Sequence, residues 1–176
     1  LVGSEMCIRD SCDTSLNMTN SHTAAFLLTH GARGISFSLE SSLQDCSAIK
    51  RCFQERYAVD APFFYTVYGR AELMLSEYCP INSVICNHTD RNCGLCRQGA
   101  EYALLDVKQN RYPILCDESC RTHILHYEVR NHIDSIPEAK QHGIQHFLCT
   151  FTMEGEADCH RIITACKAQL QMKQGV

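Results

Sequence analysis

The sequence predicts an α/β fold built around a parallel sheet, and three observations support this. Segments typical of strands and of helices alternate at roughly 20-residue spacing through the first 70 positions, as in sheets made from strand–helix–strand crossovers. The 176 residues are 45% hydrophobic and 20% charged, which is enough to bury a core. No apolar run approaches the roughly 18 residues that would span a membrane, so we predict no membrane span.

The first half of the chain contains three predicted strands and two predicted helices. Ser42 and Asp45 resemble a capping box in which Asp replaces the usual Glu, and an apolar stripe follows at helical spacing. Gly31 is predicted to end the earlier helix. The strands are predicted at 15–19, 35–39 and 63–68, and the helices at 21–30, with Ser21 as its cap, and after Ser42.

The alternation breaks after Gly69 and returns near the end of the chain. A loop with four cysteines is predicted over 77–99, followed by a β-hairpin that turns at 108–110. Cys159 and Cys166 fall on the apolar face of the last helix, so we predict that they are packing residues. The remaining strands are predicted at 71–75, 102–106, 112–116 and 144–150, and the helices at 136–142 and 156–172.

Cysteine density is the strongest chemical signal, since six of the thirteen cysteines lie between positions 77 and 120. The opening residues lack the basic and apolar regions of a signal peptide, which favours the reducing cytoplasm over a disulfide-forming compartment. Cys93-x-x-Cys96 and Cys116-x-x-x-Cys120 flank the predicted hairpin, as the two knuckles of a zinc ribbon do. Spacing alone therefore favours structural zinc, on Cys93, Cys96, Cys116 and Cys120.

Composition and motifs argue against other functions. The formal charge of −4 gives no general footprint for nucleic acid. There is no Gly-x-Ser-x-Gly elbow and no His-Glu-x-x-His motif. Gly143 and the strand-like run after it argue against one helix that carries both His142 and His146. Any RNA contact would need a local patch, for which the candidates are Arg91, Arg97, Lys108 and Arg111.

Six motifs follow one another in the order found in a known family. They are SLNMTNS at 15–21, SFSLE at 36–40, YGRAELM at 68–74, EYCPI at 77–81, CGLC at 93–96 and CRTHI at 120–124. Over about 15–152 the chain thus resembles the U32 peptidase family, whose members are often labelled collagenase-like proteases.

The resemblance implies the later part of a TIM-barrel-like domain with an inserted cysteine-rich β-hairpin region at about 77–123. Residues 1–14 are then a non-native or disordered leader, and 15–176 are the C-terminal part of the U32-type domain. Several relatives carry a [4Fe–4S] cluster and support oxygen-independent hydroxylation of tRNA, ribosomal RNA or a quinone precursor. The resemblance therefore implies such a cluster here, and the cysteines that match the family's by position are Cys79, Cys93, Cys96 and Cys120. An electron-donor protein would be a further partner.

Two other functions stay open beside hydroxylation: the peptidase of the family label, and a zinc-stabilised binding module. A barrel of the implied type places its chemistry at the carboxyl ends of its strands. Asn17 and Asn20, which end the first predicted strand, are candidates for turn and capping bonds, and His123 for a donor to a cluster sulfur. The candidate catalytic residues near such strand ends have two roles. Arg70 and Arg121 would bind an anionic substrate group by bidentate hydrogen bonds, and Glu40 or Glu77 would serve as an acid–base or orienting carboxylate.

Overall fold

The computed structural model describes residues 11–86, 94–97 and 101–171, with the side chains of Cys86 and Arg97 left aside. These residues form two compact units. The first unit takes the chain up to Gly69 and again from Asn131 onwards, and the second is Arg70–Arg130.

The first unit opens with the predicted alternation of strands and helices. Its parallel sheet is confirmed, because β1 pairs in parallel with β2, and β2 with β3. The elements are β1 (Ser11–Cys12), α1 (Ser21–Thr29), β2 (Gly34–Ser36), α2 (Leu43–Tyr57) and β3 (Phe63–Gly69).

The predicted strand at 15–19 is wrong. Thr14–Leu16 form one turn of 3₁₀ helix, and Met18 makes an isolated parallel bridge to Phe37. Asp13 explains the difference, because its carboxylate accepts a hydrogen bond from the backbone N–H of Ser15 at 2.8 Å and draws the chain into a turn. The first strand is β1, which lies inside the segment 1–14, and the proposed boundary at residue 14 stays a prediction.

The two helices of this half are held by side-chain caps. Asn20, rather than the predicted Ser21, caps α1, since its Oδ1 accepts from the N–H of Thr23 at 2.9 Å. The capping box of α2 is confirmed: the Ser42 hydroxyl accepts from the N–H of Asp45, and the Asp45 carboxylate accepts from the N–H of Ser42.

Aromatic side chains fill the core between these helices and the sheet. Phe63 on β3 stacks on Phe37 at 5.4 Å and meets Phe53 of α2 edge-on at 5.3 Å between ring centroids. Phe53 is only 2% exposed and also packs against Tyr57. The apolar stripe of α2 therefore holds the helix to the sheet, as its spacing predicts.

The second unit is a four-stranded antiparallel sheet in the order β4-β7-β6-β5. The predicted pairing of two strands across 108–110 is confirmed by the register of β5 with β6. β7, which the sequence did not predict, pairs with both β4 and β6. The strands are β4 (Glu72–Ser76), β5 (Tyr102–Leu105), β6 (Arg111–Cys116) and β7 (Thr122–Leu125).

The chain then returns to the first sheet. β8 and β9 both pair with β3, and β9 does so in parallel. Ile162 and Cys166 of the last helix are buried, and the Cys166 sulfur lies 3.6 Å from that of Cys149, in line with a packing role. These elements are β8 (Arg130–Asn131), α3 (Ile136–Gln141), β9 (His146–Cys149) and α4 (Glu156–Gln171).

The strands of the described ranges form one five-stranded and one four-stranded sheet and no closed barrel. The TIM-barrel-like architecture and the cysteine-rich character of the hairpin region stay predictions. None of the helices in the described part of the chain has the length and apolar character needed to cross a membrane.

Candidate metal centre

Four of the candidate ligands lie at the ends of strands or in turns of the second unit. Cys79 follows β4, Cys96 lies in the 3₁₀ turn Leu95–Arg97, Cys116 is the last residue of β6, and Cys120 lies in the turn from β6 to β7. Cys93 lies outside the described residues. Each of the four is half-buried, so none is sealed from a metal ion.

The thiols of Cys79, Cys96 and Cys116 come together. Burial is the main cause that raises the pKa of Cys116 to about 12, and the neighbouring Cys79 and Cys96 thiols raise it further. The Thr122 hydroxyl acts in the opposite direction and lowers this pKa. Three chain segments that are distant in sequence therefore bring sulfur atoms to one place, which we call the thiol cluster.

The turn after β4 fixes the position of Cys79. The backbone N–H of Asn82 donates to the Cys79 sulfur at 3.4 Å, and the N–H of Ser83 donates to the Cys79 carbonyl at 3.2 Å. An N–H directed at a sulfur is a weak bond with a thiol and a stronger one with a thiolate, because the acceptor is then charged. This arrangement suits a cysteine that binds metal as a thiolate.

Cys120 lies in the second of two turns that share one geometry. In the β6–β7 turn, Asp117 accepts from the N–H of Ser119 and from that of Arg121, both at 2.9 Å. Asp106 accepts from the corresponding N–H groups, of Lys108 and Asn110, in the β5–β6 turn. The backbone N–H of Asn110 lowers the pKa of Asp106, and the backbone N–H of Arg121 lowers that of Asp117.

The fourth residue of each turn has a left-handed backbone: φ is 57° at Cys120 and 67° at Gln109. This conformation favours Gly or Asn, and a side chain with a Cβ costs about 1 kcal/mol there. Gln109 shows that this type of turn tolerates a side chain at the left-handed position. Gln109 is therefore a matched control for Cys120, because the two residues share the backbone conformation and only Cys120 carries a sulfur.

Replacing each of these residues by glycine tests the role of Cys120. Both Cys120→Gly and Gln109→Gly are expected to keep or slightly raise the melting temperature, because both relieve the left-handed backbone. Cys120→Gly is expected to lower the metal content of anaerobically purified protein, whereas Gln109→Gly leaves it unchanged. If both variants hold as much metal as the wild type, Cys120 is not a ligand and the fourth ligand position falls to Cys93.

The residue type of the thiol cluster fits a soft metal centre. Thiolates select zinc and iron–sulfur clusters. In the described ranges, no three His, Cys, Asp or Glu side chains already form a ligand set. Because burial raises the pKa of Cys116 to about 12, metal binding must displace a proton that this thiol holds at neutral pH, so affinity is expected to rise with pH.

The comparison with protein families decides where the chain belongs. The model of peptidase family U32 matches residues 6–172. The chain is a member of peptidase family U32. No curated protein and no solved structure matches it. The family resemblance of the six motifs is thereby confirmed, and the U32 match includes every candidate ligand.

Arg70 of this U32 chain binds its own backbone. Its guanidinium donates to the carbonyl of His126 at 3.0 Å and to that of Tyr127, so it holds the segment after β7 to the start of β4. The buried Nε of Arg70 has no hydrogen-bond partner among the described residues. The predicted role of Arg70 in binding an anionic substrate group would need the guanidinium nitrogens other than Nη1, and it stays a prediction.

Arg121 and His123 both meet Asp117. Arg121 donates to the Asp117 carboxylate through Nε at 2.7 Å. His123 places Nδ1 at 3.0 Å from Glu72 and Nε2 at 3.6 Å from Asp117. Both ring nitrogens therefore face carboxylates, and this histidine is not set up as the base of a Cys120 nucleophile.

The structure describes some of the remaining candidate residues and not others. Glu77 is exposed beside Cys79 in the second unit, while Glu40 is exposed in the first unit, where its N–H donates to the Ser38 hydroxyl at 3.1 Å. Of the proposed basic patch, Lys108 and Arg111 are exposed. Arg91 and the side chain of Arg97 lie outside what the structure describes.

Sequence reasoning missed Asp117 and Thr122. Asp117 could have been found, because an aspartate at the first position of a turn commonly accepts hydrogen bonds from the N–H groups that follow. Thr122 gave no signal, because its importance depends on cross-strand register with Cys116, and β7 itself was not predicted.

Proposed function

We propose that this U32 protein is a metalloenzyme that carries a [4Fe–4S] cluster and supports oxygen-independent hydroxylation of an RNA base or an aromatic ring. The observation that carries the proposal is the convergence of the Cys79, Cys96 and Cys116 thiols. A [4Fe–4S] cluster needs four thiolates, so Cys120 or Cys93 completes the set. The proposal includes a cytoplasmic location, tRNA or ribosomal RNA as the RNA substrate, and an electron-donor protein as a partner.

The participation of Cys79 favours the cluster over structural zinc. A zinc ribbon would use two knuckles, Cys93 with Cys96 and Cys116 with Cys120, and would not involve Cys79. Instead the Cys79 thiol is close enough to raise the pKa of Cys116, and a backbone N–H is directed at the Cys79 sulfur. Both observations involve the one cysteine that the ribbon does not need.

The described residues give less support to proteolysis, the function in the family's name. A cysteine nucleophile needs a base within hydrogen-bond reach, but the ring nitrogens of His123 face Glu72 and Asp117. The paired histidines of a His-Glu-x-x-His metalloprotease lie on one helix. α3 ends at Gln141, and Gly143 has a φ of 79° before His146 begins β9, so His142 and His146 do not share a helix.

The chain's own groups would hold and tune the cluster. An iron–sulfur cluster supplies one-electron transfer when bound. Cys79, Cys96 and Cys116 would ligate it, and the Asn82 N–H would stabilise the negative charge on the Cys79 sulfur. Asp117 binds Arg121 and restrains the turn that carries Cys120.

Hydroxylation is tested in the parent organism, grown without oxygen. Deleting the full reading frame is expected to remove one modified nucleoside from total RNA, or one quinone intermediate, that is 16 Da heavier than its precursor by mass spectrometry. The wild-type frame and Cys52→Ser should restore it, since Cys52 lies on α2 in the other unit, whereas Cys116→Ser should not. An unchanged set of nucleosides and quinones, or rescue by Cys116→Ser, would contradict the proposal. Loss of a peptide-cleaving activity in its place would favour the peptidase.

A further inference from the structure

Thr122 carries a buried hydroxyl directly beside the thiol cluster. It is the first residue of β7 and is fully buried, at 0% exposure. Its cross-strand partner in the antiparallel pair with β6 is Cys116, so the two side chains lie on the same face of the sheet. The hydroxyl thus has one candidate ligand as its direct neighbour.

This hydroxyl has no hydrogen-bond partner among the described residues. Its neighbour is Cys116, which lies directly opposite Thr122 in the β6–β7 pair. A buried hydroxyl without a partner is unfavourable, and valine would fill the same space without that cost. Valine, isoleucine and threonine all suit a strand, so the strand alone does not explain why this residue is threonine.

We propose that Thr122 is a positioning residue of the metal centre, whose hydroxyl donates a hydrogen bond to the Cys116 thiolate once metal has replaced the thiol proton. The inference rests on the proposed function. A thiol is a weak acceptor and a thiolate a strong one, and the hydroxyl hydrogen is free to rotate towards it. A buried hydroxyl that lacks a partner among the described residues would then gain one.

This role predicts effects of opposite sign from one substitution. Thr122→Val should leave the metal-free protein as stable as the wild type or more stable, because it removes an unsatisfied buried hydroxyl. The same variant should bind metal more weakly, because the Cys116 thiolate loses its donor. A residue that only packs would move both properties in the same direction.

Thr66 provides the matched control. It lies on β3 in the first unit, is 8% exposed, and its buried hydroxyl likewise lacks a hydrogen-bond partner within the described ranges. It is no part of the thiol cluster. Thr66→Val should therefore raise stability in the same way as Thr122→Val and leave metal affinity unchanged.

The experiment uses the full chain under anaerobic conditions. The melting temperature is measured with chelator, Zn²⁺ affinity is measured by competition with a chromophoric chelator, and the midpoint potential is measured on protein reconstituted with iron and sulfide. For Thr122→Val we expect an equal or higher melting temperature and a Zn²⁺ affinity at least about 10-fold weaker. The midpoint potential should fall, because a donor to a cluster sulfur favours the more negative reduced state. Thr122→Ser, which keeps the hydroxyl, should retain the wild-type affinity and potential.

A Thr122→Val variant that binds Zn²⁺ as tightly as the wild type and keeps its potential would overturn this inference and leave the proposed function standing. A wild-type chain that binds neither Zn²⁺ nor iron would overturn the proposed function and the inference together. If Thr122→Val does not fold, Thr122→Ser and Thr122→Ala give the same comparison, since both lose the methyl group and only serine keeps the donor. Equal affinity of those two would also overturn the inference.

Discussion

Cys116→Ser is expected to lose most of the metal that the wild-type chain holds when both are purified anaerobically. The Cys116 thiol has both the Cys79 and the Cys96 thiol as electrostatic neighbours, and serine offers an oxygen that binds iron and zinc far more weakly than a thiolate does. We expect metal content, measured by elemental analysis, to fall to about a tenth or less of the wild-type value, because the remaining thiolates no longer form a closed set.

Two further variants make this result specific. Cys52→Ser changes a half-buried cysteine of α2 in the other unit and should keep the full metal content. Cys120→Ser separates two ligand sets: the family resemblance uses Cys120 and omits Cys116, whereas the geometry brings in Cys116. Full metal in Cys116→Ser, together with loss in Cys120→Ser, would show that the set implied by the resemblance is the right one.

Phe53→Ala is expected to lower the free energy of unfolding of the first unit by about 3–5 kcal/mol, the usual range for a fully buried phenylalanine. Phe53 is 2% exposed and contacts the rings of Tyr57 and Phe63 at 5.2 and 5.3 Å. The loss leaves a cavity between α2 and the sheet. Urea unfolding followed by circular dichroism measures the effect.

Phe26→Ala is the control for this core prediction. Phe26 is 60% exposed on α1 and its ring contacts that of His30, so the same change in side chain should cost no more than about 0.5 kcal/mol. Equal destabilisation by the two substitutions would show that the packing of α2 on the parallel sheet is not the core of the first unit.

The elements that could be predicted from sequence are those with local signals. The Ser42–Asp45 capping box and the apolar stripe after it define α2, and the run of apolar and aromatic residues defines β3. The strand predicted at 15–19 failed because Asp13 starts a turn, and one side-chain hydrogen bond outweighs the strand tendency of so short a segment. β7 was missed because its four residues are held by two non-local strand pairings.

The same distinction holds for the site. The density of cysteines predicts a soft metal centre, since the residue type alone carries that chemistry. The sequence could not tell that Cys116 lies near Cys79, because the two are far apart along the chain. Strand register brings them together: Thr122 of β7 pairs with Cys116 of β6 on one side and with Ser76, three residues before Cys79, on the other.

Elemental and sulfide analysis of the anaerobically purified full chain, with a visible absorption spectrum, tests the central claim most directly. Our account predicts a brown protein with about four iron and four sulfide per chain, which loses its colour in Cys79→Ala. A colourless protein with one zinc, unaffected by Cys79→Ala and unfolded by Cys116→Ala, would contradict the cluster and show a zinc ribbon instead.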